Sequence, residues 1–322
     1  MEQILSNALG ELLTPMTAAY ALAAIGIAMH FGFTGLLNFG QAAYMLVGAY
    51  AFAMANLAGL GLVPAILLSF AASIVLSLIL GIPTLRLRSD YLAIVTLGFG
   101  EIVRIFLLNL DRPINITNGP KGLMRIDDVN LFGVNFGRPL DLGFVTIESV
   151  SLYYYLFLLM VIMTIFICYR IENSRIGRAW MAIREDEIAA KAMGLNTRNL
   201  KLMAFGMGAS FGGISGVLFA AFQGFVSPES FSLMESIMIV AMVVLGGLGH
   251  IPGVILGAIL LAGLPEVLRH AAGPLTQLTD GRLAPEILRQ LLIALAMIVI
   301  MILRPKGLWP APEHGKSLVK KD

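Results

Sequence analysis

The chain has 322 residues, of which 58% are hydrophobic and 13% charged, with a formal net charge of +2 and a mean hydropathy of +0.85. A soluble globular domain carries about a quarter charged residues, so the class that remains is an integral membrane protein with membrane lipid as its solvent. The small net charge, with its basic residues set between apolar stretches, excludes nucleic acid as a partner, and a single cysteine, Cys168, excludes an internal disulfide.

A helix needs about 20 apolar residues to cross the hydrocarbon core. By that length nine spans are expected, near 12–31, 40–58, 62–82, 91–110, 151–170, 202–222, 235–249, 251–269 and 286–304. The expected fold is an all-α integral membrane protein, a polytopic bundle of about nine transmembrane helices (8–10) with broken or re-entrant segments. Residues 1–11 hold Glu2 and Glu11 but no Lys or Arg, so no cleavable signal peptide is expected. Between the first two spans, HFGFTGLLNFG (30–40) has the composition of a re-entrant turn. Asn38 and Gln41 flank a glycine there.

Arg86 and Arg88 follow the third span. The fourth carries Thr96 beside Gly98 and Gly100, and then Glu101 and Arg104, three apart. That spacing suits an intrahelical ion pair that lowers the cost of both charges in the membrane. The loop 111–150 balances its acids against its bases, and with Asn118-Gly119-Pro120 it reads as an ordered surface loop.

After the fifth span comes the most polar stretch, 171–201. Arg175, Arg178, Arg184, Lys191, Arg198 and Lys201 lie in it, which marks a cytoplasmic loop. Within it IREDEIAAKAMGL reads as a short helix. Glu185, Asp186 and Glu187 crowd its start and Gly194 follows its last turn. With nine spans, the basic sites after spans three, five and nine share one side. That places the N-terminus outside and the tail 305–322 in the cytoplasm. The seventh span is short and ends in Gly246, Gly247 and Gly249, which suggests a broken helix paired with the eighth. GMGASFGGISG (206–216) and GGLGHIPGVILGA (246–258) are small-residue faces suited to close helix packing. Residues 36–50 and 244–258 share a Gly-rich break before an apolar span, a hint of an internal repeat. Glu235 and Glu266, near the ends of their spans, are expected at the membrane interface, and His30 near the end of the first.

Six stretches, in order, resemble the permease subunits of ATP-driven (ABC) importers for branched-chain amino acids, the LIV family. They are GLLNFGQAAYMLVGAY (35–50), DYLAIVTLGFGEIVR (90–104), NGPKGL (118–123), SRIGRAWMAIREDEIAAKAMGLN (174–196), GGLGHIPGVILGA (246–258) and RPKGLW (304–309). The chain is most similar to the second permease type, with the longer external loop. The resemblance implies a single permease domain over 1–322 in the inner membrane of a prokaryote. It also implies a second homologous permease, two cytoplasmic ATP-binding subunits and an external substrate-binding protein. The helix near 184–194 is then the coupling helix, with Glu187, Ala190 and Gly194 matching the family's Glu, Ala and Gly pattern and Glu185 the competitor of Glu187. No enzyme activity and no cofactor are expected of the chain itself, because it has no Gly-x-x-x-x-Gly-Lys-Ser/Thr loop and ATP would be bound by the partners.

Asn38, Gln41, Thr96, Glu101 and Arg104 are the candidates to line a passage. The bland reading is that the three neutral residues make interhelical hydrogen bonds and that the charged two simply pair. A permease for urea or short-chain amides is the alternative within the same family. Outside it stands an ion-coupled secondary transporter, for which Glu101 is the deep carboxylate, although Arg104 beside it favours the charged form. A passive channel would not need the acidic-start helix, and a membrane enzyme lacks a nucleophile–base pair.

Overall fold

Thr14 and Pro15 start the first helix. The Thr17 N–H donates to the Thr14 hydroxyl at 3.2 Å, and Pro15 stands in the first turn, where an N–H has no partner to lose. The computed structural model describes residues 14–87, 89–111, 115–131, 134–141 and 146–263, with 291, 294–295, 298–299, 302–303 and 307–309 beyond them. The expected ninth span, 286–304, and Glu266 lie outside the continuously described residues.

The long helices are α1 (Pro15–Ile27, continued by a π-helical turn, Ala28–Gly32), α3 (Leu62–Thr84), α4 (Ser89–Leu108), α5 (Ser149–Glu172) and α8 (Thr197–Gln223). Five apolar segments within them are long enough to cross a membrane. Three further apolar helices are shorter: α2 (Gln41–Leu57), α9 (Leu233–Gly246) and α10 (Ile251–Gly263). At about 1.5 Å per residue the first two reach roughly 21–26 Å, less than the ~30 Å hydrocarbon core. The expected spans 40–58 and 235–249 are therefore corrected to part-length helices, while the expected span 251–269 is described only as far as residue 263.

The helices form a centre and a periphery. The apolar windows of α1 and α8 are 83% and 72% buried, against 33%, 22% and 28% for α3, α4 and α5. The outer helices leave Val75, Ile79, Ile102, Phe106, Ile162 and Phe166 exposed, as helices bathed in lipid do. The centre is held by backbone approach rather than large side chains. A Cβ on Gly26 would lie 2.6 Å from the Gly208 carbonyl oxygen, and one on Gly208 would lie 2.5 Å from that of Gly26. α2 meets α8 in the same manner at Gly48–Gly213 and Met45–Gly216. These small-residue contacts take the place of the hydrophobic drive that lipid does not supply between helices.

Two breaks interrupt the centre. After the π turn the chain is non-helical from residue 35 to 40 and then enters α2. The Gln41 side-chain amide donates to the Ala23 carbonyl at 3.0 Å, which puts the start of α2 about half-way along α1. So 30–40 is re-entrant: the chain climbs back through half the membrane before it becomes helical. The second break follows α8. Gly224, at φ +63°, ends that helix, and β6 (Phe225–Val226) and a 3-10 turn (Pro228–Phe231) lead into α9. The breaks meet where the Ala42 N–H donates to Ser236 Oγ at 3.1 Å. Helix, break and part-length helix run in opposite senses in the two halves, crossing at Gly26 and Gly208, which is the pattern of an inverted repeat. The antiparallel relation holds between 15–57 and 197–246; 36–50 and 244–258 each contain a glycine break followed by an apolar helix.

The Gly246–Gly249 turn is the expected break of the seventh span. α10 folds back on α9 there, with a Cβ on Gly257 only 2.1 Å from the Met242 carbonyl oxygen. Gly249 lies against Gly32, and the Leu308 N–H donates to the Leu245 carbonyl at 2.8 Å. At the opposite end, β1 (Leu123–Met124) pairs antiparallel with β6, and two further two-stranded pairs follow: β2 (Asn130–Leu131) with β3 (Val134–Asn135), and β4 (Leu140–Asp141) with β5 (Thr146–Ile147). In NGPKGL, Asn118 takes a left-handed φ of 61° and its amide donates to the Gly122 carbonyl at 2.9 Å, turning the chain into β1.

Candidate functional site

The sequence candidates fall into two places. The first is the mid-depth break. Backbone that leaves a helix inside a membrane must find partners in the protein; Asn38 and Thr96 supply them, and the Gln41 amide ties the start of α2 to the Ala23 carbonyl of α1. The Phe39 N–H donates to Thr96 Oγ1 at 3.0 Å and the Gly40 N–H to Asn38 Oδ1 at 2.7 Å. Asn38 Nδ2 then donates to the Tyr44 hydroxyl at 3.1 Å, and all three side chains are fully buried. Their contacts are interhelical and local hydrogen bonds, so the bland reading of these residues describes their state in this conformation.

Glu101 and Arg104 do pair. Arg104 Nε donates to both carboxylate oxygens at 3.0 Å and Nη2 to Oε1. Glu101 also borders a void of about 10 Å³ together with Phe39, Ala42, Ser232 and Ser236. Glu101 therefore faces the meeting point of the two breaks, while a void of this size holds roughly one water and no amino acid. Two participants were not legible from sequence. Ser236 receives the Ala42 N–H, and Glu235, expected at the interface, lies one residue before it, accepting the Tyr20 hydroxyl proton at 2.9 Å. An acid one turn into an apolar run resembles a helix-end acid, and only the second break moves it to mid-depth. His30, expected near the end of the first span, is fully buried in the π turn, its ring 5.4 Å from that of Phe205.

The second place is the loop 173–196, which shares an end of the bundle with Arg86 and Gly32. The sequence suggests one helix over IREDEIAAKAMGL; the structure has two, α6 (Arg175–Glu185) and α7 (Glu187–Ala192). Asp186 separates them in extended conformation. Its carboxylate accepts the Ile188 and Ala189 N–H groups at 2.8 and 3.0 Å and so caps α7. Glu185 consequently ends α6 and does not begin α7, a correction that leaves Asp186 and Glu187 as the acids at the start. The Leu195 N–H donates to the Ala190 carbonyl and the Gly194 N–H to that of Lys191, with Gly194 at φ +85°. This is a Schellman end, which only a glycine adopts without strain.

α7 is anchored on one side and bare on the other. Ala190 is buried, and Lys201 Nζ donates to Glu187 Oε2 at 2.6 Å, tying α7 to α8. Trp180, fully buried, donates its indole N–H to the Leu200 carbonyl at 2.8 Å and holds α6 on the same helix. Ile188 and Met193 are each 83% exposed. Two large apolar side chains on a short helix capped at both ends form a rigid apolar knob beyond the bundle. Among the described residues no cluster of His, Cys, Asp or Glu could hold a metal ion.

The family described as "Branched-chain amino acid transport system / permease component" matches residues 11–301. The high-affinity branched-chain amino acid transport system permease protein LivM is 41% identical in Salmonella typhimurium and in Escherichia coli K12, over 308 residues that make up 92% of this chain and 68% of theirs. The permease protein LivH of Escherichia coli K12 is 29% identical over 311 residues, 93% of this chain and 94% of its own. No solved structure matches the chain.

Proposed function

The chain belongs to the branched-chain amino acid transport permeases, and from that premise we propose that it works in an ATP-driven importer with a second, LivH-like permease, two cytoplasmic ATP-binding subunits and an external binding protein. The substrate is a branched-chain or related hydrophobic amino acid. The observation that carries the coupling role is α7: a capped, anchored helix whose apolar tip, Ile188 and Met193, has no cover in the chain's described residues. A chain without a phosphate-cradling loop needs a partner to supply ATP chemistry, and this knob is the surface built to be gripped. The end that bears α7 is cytoplasmic by its excess of Arg and Lys, and the N-terminus is outside.

In this conformation the passage side is shut at the meeting of the two breaks. Clamping of α7 by the ATP-binding subunits would pull on α8 through Lys201 and Trp180. α8 carries the Gly208 crossing and leads into the second break. Displacement there opens the contact between Ala42 and Ser236. Weak polar groups at that point suit a carrier that must release what a binding protein delivers.

The test is purification of the tagged chain in mild detergent, followed by ATPase measurement in liposomes. Recovery of a second permease and two ATP-binding subunits, with hydrolysis raised by leucine-loaded binding protein, is expected. Stimulation only by urea or an amide would overturn the substrate, and a lone chain that transports without ATP would overturn the coupling role.

A further inference from the structure

A cleft of about 730 Å³ opens at the basic end between α3 and the loop that carries α7. Its charged lining is Arg86, Arg184, Glu187, Lys191, Arg198 and Lys201. Two of the five cations are engaged: Lys201 pairs with Glu187, and Arg184 Nη1 donates to the Gly32 carbonyl at 2.6 Å. Arg86, Lys191 and Arg198 are exposed and, among the described residues, have no carboxylate within ion-pair distance. They come from three separate segments, the end of α3, α7 and the start of α8, yet face one basin.

The other wall is apolar and continues into the bilayer. Leu36, Leu85 and Ile82 line the cleft. From Ile82, 49% exposed, the stripe runs up α3 through Ile79 (58%) and Val75 (55%), three and seven residues back, on one helix face. A cationic basin joined to an apolar stripe that points to mid-membrane has the shape of a lipid.

We propose that this cleft binds the phosphate headgroup of an anionic phospholipid, with its acyl chains along Val75, Ile79 and Ile82. Two guanidinium groups, Arg86 and Arg198, suit bidentate contact with phosphate oxygens, and Lys191 adds a point charge. Free phosphate or a soluble acid would make no use of the stripe, and a choline or ethanolamine headgroup would bring its own cation against three others. Bound there, the lipid bridges α3 to the loop and braces the base of α7. This goes beyond the transport reading and does not depend on the identity of the substrate.

The experiment is lipid retention by the full chain purified in neutral detergent, read by native mass spectrometry and thermal unfolding, with phosphatidylglycerol, phosphatidylcholine or inorganic phosphate added. Phosphatidylglycerol should be retained at least about tenfold better than phosphatidylcholine. Each basic residue near a membrane surface contributes about a fivefold factor, so the Arg86→Gln/Arg198→Gln variant should bind about 25-fold more weakly. Arg86→Lys/Arg198→Lys, which keeps the charges but loses the bidentate forks, should fall between the parent and the Gln pair. Equal retention of the two lipids, unchanged retention in the Gln pair, or the same protection by phosphate alone would overturn the proposal. Should the Gln pair not be recovered from membranes, Lys191→Gln alone, with an expected loss of about fivefold, decides in its place.

Discussion

Thr96→Val isolates the feature on which the mid-depth break depends. Valine matches threonine in shape, and Thr96 is fully buried, so the substitution changes chemistry without opening a cavity. The hydroxyl accepts the Phe39 N–H at 3.0 Å and passes its own proton to the Ala93 carbonyl at 3.0 Å. Its loss leaves the Phe39 N–H in the membrane interior without that partner, at a cost of about 1–3 kcal/mol. Ala93 loses little, because its carbonyl belongs to a continuous helix. Thr164→Val is the matched control: that hydroxyl donates only to the Met160 carbonyl of its own helix, at 2.8 Å, and supports no other backbone. Thermal unfolding of both variants in one detergent should show Thr96→Val lower by about 2–6 °C, on the scaling of about 2 °C per kcal/mol for a chain of this size. Thr96→Ser should recover most of the loss. Equal midpoints for the two valine variants would refute the view that Thr96 satisfies the re-entrant backbone.

Ile188→Asp with Met193→Asp should leave the unfolding free energy of the chain within about 0.5 kcal/mol of the parent, because both side chains are bare, and should lower amino-acid uptake at least about tenfold. Gly216→Ala would place a Cβ 1.9 Å from the Met45 carbonyl oxygen and should cost about 1–3 kcal/mol or more, whereas Gly98→Ala meets nothing within 4 Å and should be neutral or stabilising by up to about 1 kcal/mol; denaturation of the pair separates them. Arg104→Ala breaks the pair with Glu101 and should cost about 1 kcal/mol, seen as several-fold less chain recovered from membranes, with no change of substrate preference.

Much of the fold was legible because the bilayer imposes a length on apolar runs. The outer helices α3, α4 and α5 follow their expected spans closely, and the Arg and Lys runs mark one end. The loop was legible in part. Gly194 ends α7 as its position suggests, but Asp186 could be read either as a helical acid or as a cap, and only its backbone decides for the cap. Glu235 was misplaced for a similar reason. Its depth is set by contacts with Tyr20 and α2, more than 190 residues away in sequence.

The re-entrant segment also constrains how the protein can be made. Two of the amides at the start of α2 find their partners only in later segments: that of Phe39 at Thr96, 57 residues on, and that of Ala42 at Ser236, 194 residues on. A growing chain released into the membrane after α2 therefore carries open backbone at mid-depth until α4 and then α9 have been synthesised. The first half waits for the second: the centre of the bundle closes only once residue 236 is in place.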